Sequence, residues 1–170
     1  MVLSLTQQHI SELSAHAERV YPEECCGLML GELDSVSARK QLVELIPVEN
    51  KWAAEAFDES AVSSSGASEE FTKERRYTID PRDMLRVQKQ AREQGLKIIG
   101  VYHSHPDQGA VPSECDRAQA WPQYAYTILC VQKGKTADIR NWALDSNHQF
   151  QPEAMQVIPS SATDRMPLLA

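Results

Sequence analysis

No stretch of the chain stays apolar for anything close to the ~20 residues that a membrane-spanning helix needs. A membrane partner is therefore not expected. Basic residues are in deficit: Lys and Arg total 17 against 24 Asp and Glu, a formal net charge of −7. That balance argues against a nucleic-acid partner and against a basic helix lying on a membrane. The first residues, Met1-Val-Leu-Ser-Leu-Thr-Gln-Gln-His9, lack a basic segment followed by an apolar one. No secretory leader is expected, and the reading is a cytoplasmic protein. Cysteine is sparse. Cys25, Cys26, Cys115 and Cys130 form no Cys-x-x-Cys pair and read as reduced thiols. Several catalytic signatures are also missing. There is no His-Glu-x-x-His, no Gly-x-Ser-x-Gly elbow, and no His-x-Glu followed by Pro-Cys-x-x-Cys. These gaps disfavour the two-histidine helical zinc site, the serine hydrolase and the zinc nucleobase deaminase. No internal repeat is present.

What is there has the makeup of an ordinary globular domain, with 42% hydrophobic and 24% charged residues over 170 positions. One domain over residues 1–158 is expected, then a loose tail at 159–170. Ile10, Leu13, Ala17 and Val20 recur at helical spacing and predict a helix over Leu5–Val20, with Thr6 as its N-cap. His9 and His16 read as ordinary residues of that helix. Cys25–Gly31 and Arg39–Val48 predict strands joined by a turn. Residues 52–74 hold Ser63-Ser-Ser-Gly-Ala-Ser68 and Glu69-Glu70, and predict a flexible insertion loop. Tyr77–Asp80 predicts a short strand. Asp80-Pro81 then opens a helix that runs to about Gln94 and stops at Gly95, with Met84, Leu85, Val87, Gln88 and Ala91 as its apolar stripe. Further strands are expected at Leu96–Tyr102, Tyr124–Val131, Ala137–Leu144 and Gln149–Ile158, and a short helix at Ser113–Ala120. This order gives an α/β (α+β) fold, a mixed central sheet between helices.

The chemistry concentrates in Val101-Tyr-His-Ser-His-Pro-Asp-Gln-Gly-Ala-Val-Pro-Ser-Glu-Cys-Asp116. Strand side chains at i and i+2 share a face, so His103 and His105 at a strand end can aim two imidazoles at one point. Pro106 has no N–H for the ladder and stops the strand. Asp116, in the first turn of the next helix, supplies a carboxylate. Two histidines, one carboxylate and an open position make a catalytic zinc arrangement. Upstream, Glu23 and Glu24 are adjacent, so an extended chain points them in opposite directions. Ser113 reads equally as a helix cap or as a hydroxyl that donates to a developing oxyanion. Cys115, next to Asp116, reads as structural.

The pattern His-x-His-x7-Ser-x2-Asp, with Glu24 upstream in Tyr21-Pro-Glu-Glu-Cys-Cys-Gly27, resembles the signature of the JAMM (MPN+) metalloproteases, the JAB1/MPN/Mov34 family. The resemblance runs over roughly residues 3–142. It selects Glu24 rather than Glu23 as general base. It implies an MPN-type, cytidine-deaminase-like sheet flanked by helices. It also implies one Zn²⁺ per chain on His103, His105 and Asp116, with catalytic roles for Glu24 and Ser113. The implied activity is a peptidase or isopeptidase cutting after the C-terminal Gly-Gly of a ubiquitin-like or sulfur-carrier protein, as in the stand-alone bacterial and archaeal branch. The alternative is a non-catalytic MPN-like scaffold that binds a protein partner. A homodimer is left open.

Overall fold

The computed structural model describes residues 1–52 and 72–160. The expected insertion loop and tail therefore lie largely outside the described residues. The elements are β1 (Val2–Thr6), α1 (Gln7–Val20), β2 (Cys26–Asp34), β3 (Arg39–Val48), α2 (Pro81–Glu93), β4 (Lys97–Pro106), α3 (Glu114–Gln119), β5 (Ala125–Gln132), β6 (Lys135–Leu144), β7 (Phe150–Pro152) and β8 (Ala154–Ile158). The eight strands form one mixed sheet in the order β7-β6-β5-β4-β2-β3-β1-β8. The β1–β3, β1–β8 and β4–β5 pairs are parallel and the others antiparallel.

The expected class, a mixed sheet between helices, is what is observed. Several element boundaries differ. The helix expected from Leu5 starts at Gln7, because Val2–Thr6 is a buried strand instead. A short apolar run cannot be told from a helix entry by period alone, and here non-local pairing with β3 and β8 decides. Thr6 is the N-cap as expected. His9 completes a reciprocal cap: its backbone N–H donates to Thr6 Oγ1, and the Thr6 N–H donates to His9 Nδ1, both at 3.2 Å. Tyr77–Asp80 forms no strand. β2 continues past Gly31 to Asp34. Leu85, expected in the buried stripe of α2, is 65% exposed, whereas Val87 and Ala91 are buried. Gly95 ends α2 with φ +71°, and the Leu96 N–H donates to Ala91 O at 2.8 Å, the αL stop expected of a glycine there.

The largest departure is Gln149–Ile158. It is not one strand but two, β7 and β8, on opposite edges of the sheet and separated by Glu153 alone. A single residue cannot cross a flat eight-stranded sheet, so the sheet curls until its edges meet. Glu153 sits buried in that seam. Lys40 Nζ of β3 donates to both its carboxylate oxygens, at 3.0 and 3.2 Å, and Asn141 Nδ2 of β6 donates to Oε2 at 2.8 Å.

The two faces of the sheet bury different helices. Leu13 and Ala17 of α1 pack with Leu3, Leu5, Cys25, Met29, Ile99, Tyr102 and Leu129 on one side. Val87 and Ala91 of α2 pack with Cys26, Leu28, Leu30, Val101 and Tyr126 on the other. Along β2 the faces alternate with period 2. Along β4 they do not: Ile99 and Tyr102 both belong to the α1 side. A register shift at Met29/Leu30 in the β2–β4 ladder accounts for this change of parity. The consequence is that Val101, His103 and His105 face the α2 side.

Candidate metal centre

β4 runs on through both histidines to Pro106, four residues beyond the expected end. The β2–β4 ladder pairs Cys26 with His103. Beyond it the Ser104 N–H donates to Cys25 O at 3.1 Å, and the Cys25 N–H donates to Ser104 Oγ at 2.9 Å. Glu24 comes next, just before the start of β2, and its N–H donates to Lys73 O at 2.8 Å rather than to β4. It stands two residues before Cys26, on the same face of an extended chain, and its carboxyl feels the charges of His105 and Asp116, so Glu24 lies on the histidine side. Glu23 is exposed and Glu24 is 5% exposed, the split expected of adjacent residues on an extended chain. Gly27 explains itself here. It pairs with Tyr102, and a Cβ on it would come within 2.3 Å of the Tyr102 ring. That ring reaches over Gly27 to bond His16 Nδ1 at 2.9 Å.

The three expected ligands do converge. His103 Nε2 and His105 Nε2 are 3.0 Å apart. Asp116 Oδ1 is 3.3 Å from His103 Nε2, and Asp116 Oδ2 is 3.6 Å from His105 Nε2. Ligand atoms on a tetrahedral metal with bonds of ~2.0 Å stand about 3.3 Å from one another. The observed separations are of that order, with the two imidazoles nearest different oxygens of the one carboxylate; one nitrogen or oxygen atom from each residue lies within 4.8 Å of the others, and all three residues are buried. These residues therefore fit a divalent cation such as zinc.

The supports differ between ligands. His105 Nδ1 is 3.0 Å from Gly109 O, which fixes the ring proton on Nδ1 and leaves Nε2 as a lone pair. The Gly109 loop is itself pinned: Trp142 Nε1 donates to Ala110 O at 3.1 Å, and the Asp107 carboxylate accepts from Tyr21 OH at 2.8 Å and the Lys133 N–H at 2.9 Å. Asp116 is held by α3. The Ser113 hydroxyl accepts from the Asp116 N–H at 3.1 Å and donates to Asp116 Oδ2 at 2.7 Å, and the Ser113 N–H donates to the same oxygen at 2.6 Å. Ser113 is thus seen as a cap that orients the carboxylate. Cys115 is half-buried and free of disulfides.

The electrostatics follow from burial. Burial pushes the Glu24 carboxyl up to about 8, the nearby His105 opposing and the Asp116 charge adding to the rise. Burial also opposes ionisation of Asp116, but His103, His105 and the Ser113 hydroxyl outweigh it and hold that carboxyl well below its ordinary range. Burial lowers His103. For His105 burial acts the same way, but Asp116 and Glu24 outweigh it and raise the imidazole. A protonatable carboxyl beside an ionised one, with two imidazole nitrogens aimed at the same point, can bind a cation and move a proton next to it.

Sequence reasoning missed three contributors. Gly109 acts only through its carbonyl, which carries no residue-type signal. Tyr77 stacks on His103 with ring centroids 4.4 Å apart and planes 25° apart. Buried Asn50 bonds four backbone groups around the site. Neither falls within the spacing that singled out the motif.

Residues 6–145 match the family described as prokaryotic homologs of the JAB domain, Prok-JAB. The chain belongs to that family. It is 30% identical over 115 residues to a Haloferax volcanii protein named desampylase, covering 67% of this chain and 66% of that one. It is 28% identical over 129 residues to a Thermus thermophilus protein named a probable TtuB-protein conjugate cleaving protease, covering 76% and 70%. This Prok-JAB chain thus spans about two thirds of the desampylase that it matches. A solution structure of a Desulfitobacterium hafniense protein superposes with a TM-score of 0.70 at 24% identity, covering 93% of both chains, a likeness of fold. No helix among the described residues is long and apolar enough to cross a membrane.

Proposed function

We propose that this chain is a zinc-dependent JAMM-type peptidase or isopeptidase. Its substrate would be the amide bond after the C-terminal Gly-Gly of a ubiquitin-like or sulfur-carrier protein. The observation that carries the reading is a buried carboxyl, Glu24, within reach of the charges of a cluster of His103, His105 and Asp116 whose ligand atoms lie within 4.8 Å of one another. The relatives' names, a desampylase and a conjugate cleaving protease, support the substrate class.

His103 Nε2, His105 Nε2 and one oxygen of Asp116 would hold the ion. A zinc ion held there would supply Lewis acidity toward an amide carbonyl and toward water. Glu24 takes the proton from the attacking water and delivers it to the leaving amine, whose expulsion as an anion would be prohibitive. Its raised pKa suits both transfers, and a resident cation would draw that value back down. Ser113 keeps Asp116 in its coordinating rotamer. For it to serve an oxyanion as well, its hydroxyl must turn away from Asp116 Oδ2.

The test is intact-mass analysis of a carrier protein ending in Gly-Gly plus a cysteine or a short extension, incubated with zinc-loaded protein. Trimming to Gly-Gly by wild type and not by Glu24→Gln supports the reading. Absence of trimming together with absence of bound metal sinks it and leaves the scaffold alternative.

A further inference from the structure

The two histidines of the centre are not held alike. His105 has an acceptor for its second ring nitrogen, Gly109 O. His103 has none: its Nδ1 is buried and without a hydrogen-bond partner among the described residues. A metal-binding histidine ordinarily donates its other N–H to a neighbour that fixes the ring. Something else must fix His103, which is 0% exposed. The group against its face is Tyr77, stacked at 4.4 Å and 25°. Tyr77 belongs to no helix or strand, so its ring needs a mount. Asn50 provides one. Asn50 Nδ2 donates to Arg76 O at 2.8 Å and to Glu24 O at 3.1 Å. Asn50 Oδ1 accepts from the Thr78 N–H at 3.2 Å and the Trp52 N–H at 3.0 Å. The two residues flanking Tyr77 are thus bonded to the same amide that bonds the backbone of Glu24, and the Lys51 N–H donates to Thr78 O at 3.0 Å beside it.

We infer that Tyr77, mounted by Asn50, is the positioning residue for His103, its stacked ring taking the place of the hydrogen bond that His103 Nδ1 lacks. This rests on the metal-centre reading above. The physical effect is preorganisation. A ring pressed flat against an aromatic face cannot rotate about its Cβ–Cγ bond, so Nε2 stays aimed at the triangle before the ion arrives. The phenol hydroxyl plays no part in this, and that separates a stacking role from an acid–base role.

The experiment is zinc affinity of the full chain, measured by competition with a chelating dye, with the visible absorption of the Co²⁺-substituted protein as second readout. Tyr77→Phe keeps the stack and should bind zinc within about twofold of wild type. Tyr77→Leu keeps apolar bulk but loses the flat face. It should bind about 10-fold or more weakly, the range for a lost supporting contact, with a weakened and shifted Co²⁺ spectrum. Asn50→Ala leaves the ring but loosens its mount, and should lose affinity by a smaller factor. It keeps the question answerable if Tyr77→Leu does not fold. Wild-type affinity and spectrum in Tyr77→Leu, or in Asn50→Ala should Tyr77→Leu be unfolded, would overturn the inference and leave the metal centre standing. Equal losses in Tyr77→Phe and Tyr77→Leu would assign the effect to the hydroxyl and overturn it too. Failure of wild type to bind zinc would overturn the metal reading itself, and this inference with it.

Discussion

Two buried polar clusters sit in this fold, one at the seam and one at the end of β4, and they are built on opposite principles. At the seam, Lys40, Glu153, Asn141 and Thr127 satisfy one another: ammonium against carboxylate, amide N–H against the second oxygen, and Thr127 Oγ1 donating to Asn141 Oδ1 at 3.1 Å. Donors meet acceptors, and nothing further is wanted. At the end of β4 the atoms that meet are two imidazole nitrogens and a carboxylate, 3.0–3.6 Å apart, with a second carboxyl, Glu24, nearby. A proton held on the raised His105 imidazole can pair with the ionised Asp116 carboxylate, but His103 Nδ1 is left with no partner among the described residues. The first arrangement closes a curled sheet. The second gathers nitrogen and carboxylate oxygen atoms of the kind a cation takes as ligands. Burial and polarity do not separate the two, since both are equally buried. The pairing of donors with acceptors does.

The comparison can be broken first at the centre. Asp116→Ala should cut zinc affinity by more than the ~10–100-fold that a lost supporting contact costs, and abolish cleavage. Glu24→Gln should retain zinc yet lower kcat by about 10²–10⁴-fold, read by mass analysis of the carrier substrate alongside zinc content. Retained cleavage in Glu24→Gln would remove that residue from the chemistry.

The seam should respond in stability and not in chemistry. Lys40→Met strands the buried Glu153 carboxylate and should cost about 3–5 kcal/mol in denaturant unfolding. Lys40→Met with Glu153→Leu should recover most of that. If the double variant is as unstable as the single, the ion pair does more than satisfy itself.

A pH series sharpens the contrast. In the metal-free protein the folded pKa of Glu24, about 8, exceeds its unfolded value of 4.5. Between those values the folded state keeps a proton that the unfolded state has released, so stability falls as pH rises. Wild type should therefore lose roughly 1–4 kcal/mol relative to Glu24→Gln between pH 5 and 8, and zinc should shrink that gap. Parallel curves for the two proteins would place Glu24 in a wetter setting.

The smallest effect is expected at His16, whose bond to Tyr102 lies behind the centre. Burial, with Arg19 adding, lowers its pKa from 6.5 to about 4. Here the unfolded state binds the proton first, so stability falls as pH drops from 6.5 toward 4. Relative to His16→Gln, wild type should lose about 1–2 kcal/mol between pH 7 and 5, seen as a larger drop in Tm.

Much of this was legible in one dimension. The spacing His-x-His-x7-Ser-x2-Asp is local, and the physics that exploits it is local too. The i, i+2 rule puts both imidazoles on one face. An N-cap serine three residues before an aspartate forms a cap that orients the carboxylate. The glycine stop after α2 and the proline at its start are likewise local. The upstream carboxylate was harder to read. Adjacency showed that only one of Glu23 and Glu24 could face inward, and the family resemblance alone selected Glu24. The fold buries Glu24 and leaves Glu23 exposed, in a segment held against β4 some 80 positions away.

The sequence by itself therefore determined the shared face of His103 and His105, the Ser113 cap on Asp116, and the alternation of helices and strands, because each rests on contacts within a turn or a pleat. Only the tertiary structure decided the rest. It alone split Gln149–Ile158 between two edges, brought Tyr77 onto His103, set Asn50 as the shared mount of Tyr77 and Glu24, and paired Lys40 with Glu153. Those are contacts between residues 26 to 113 positions apart. Their partners are chosen by how the sheet closes, which no local period encodes.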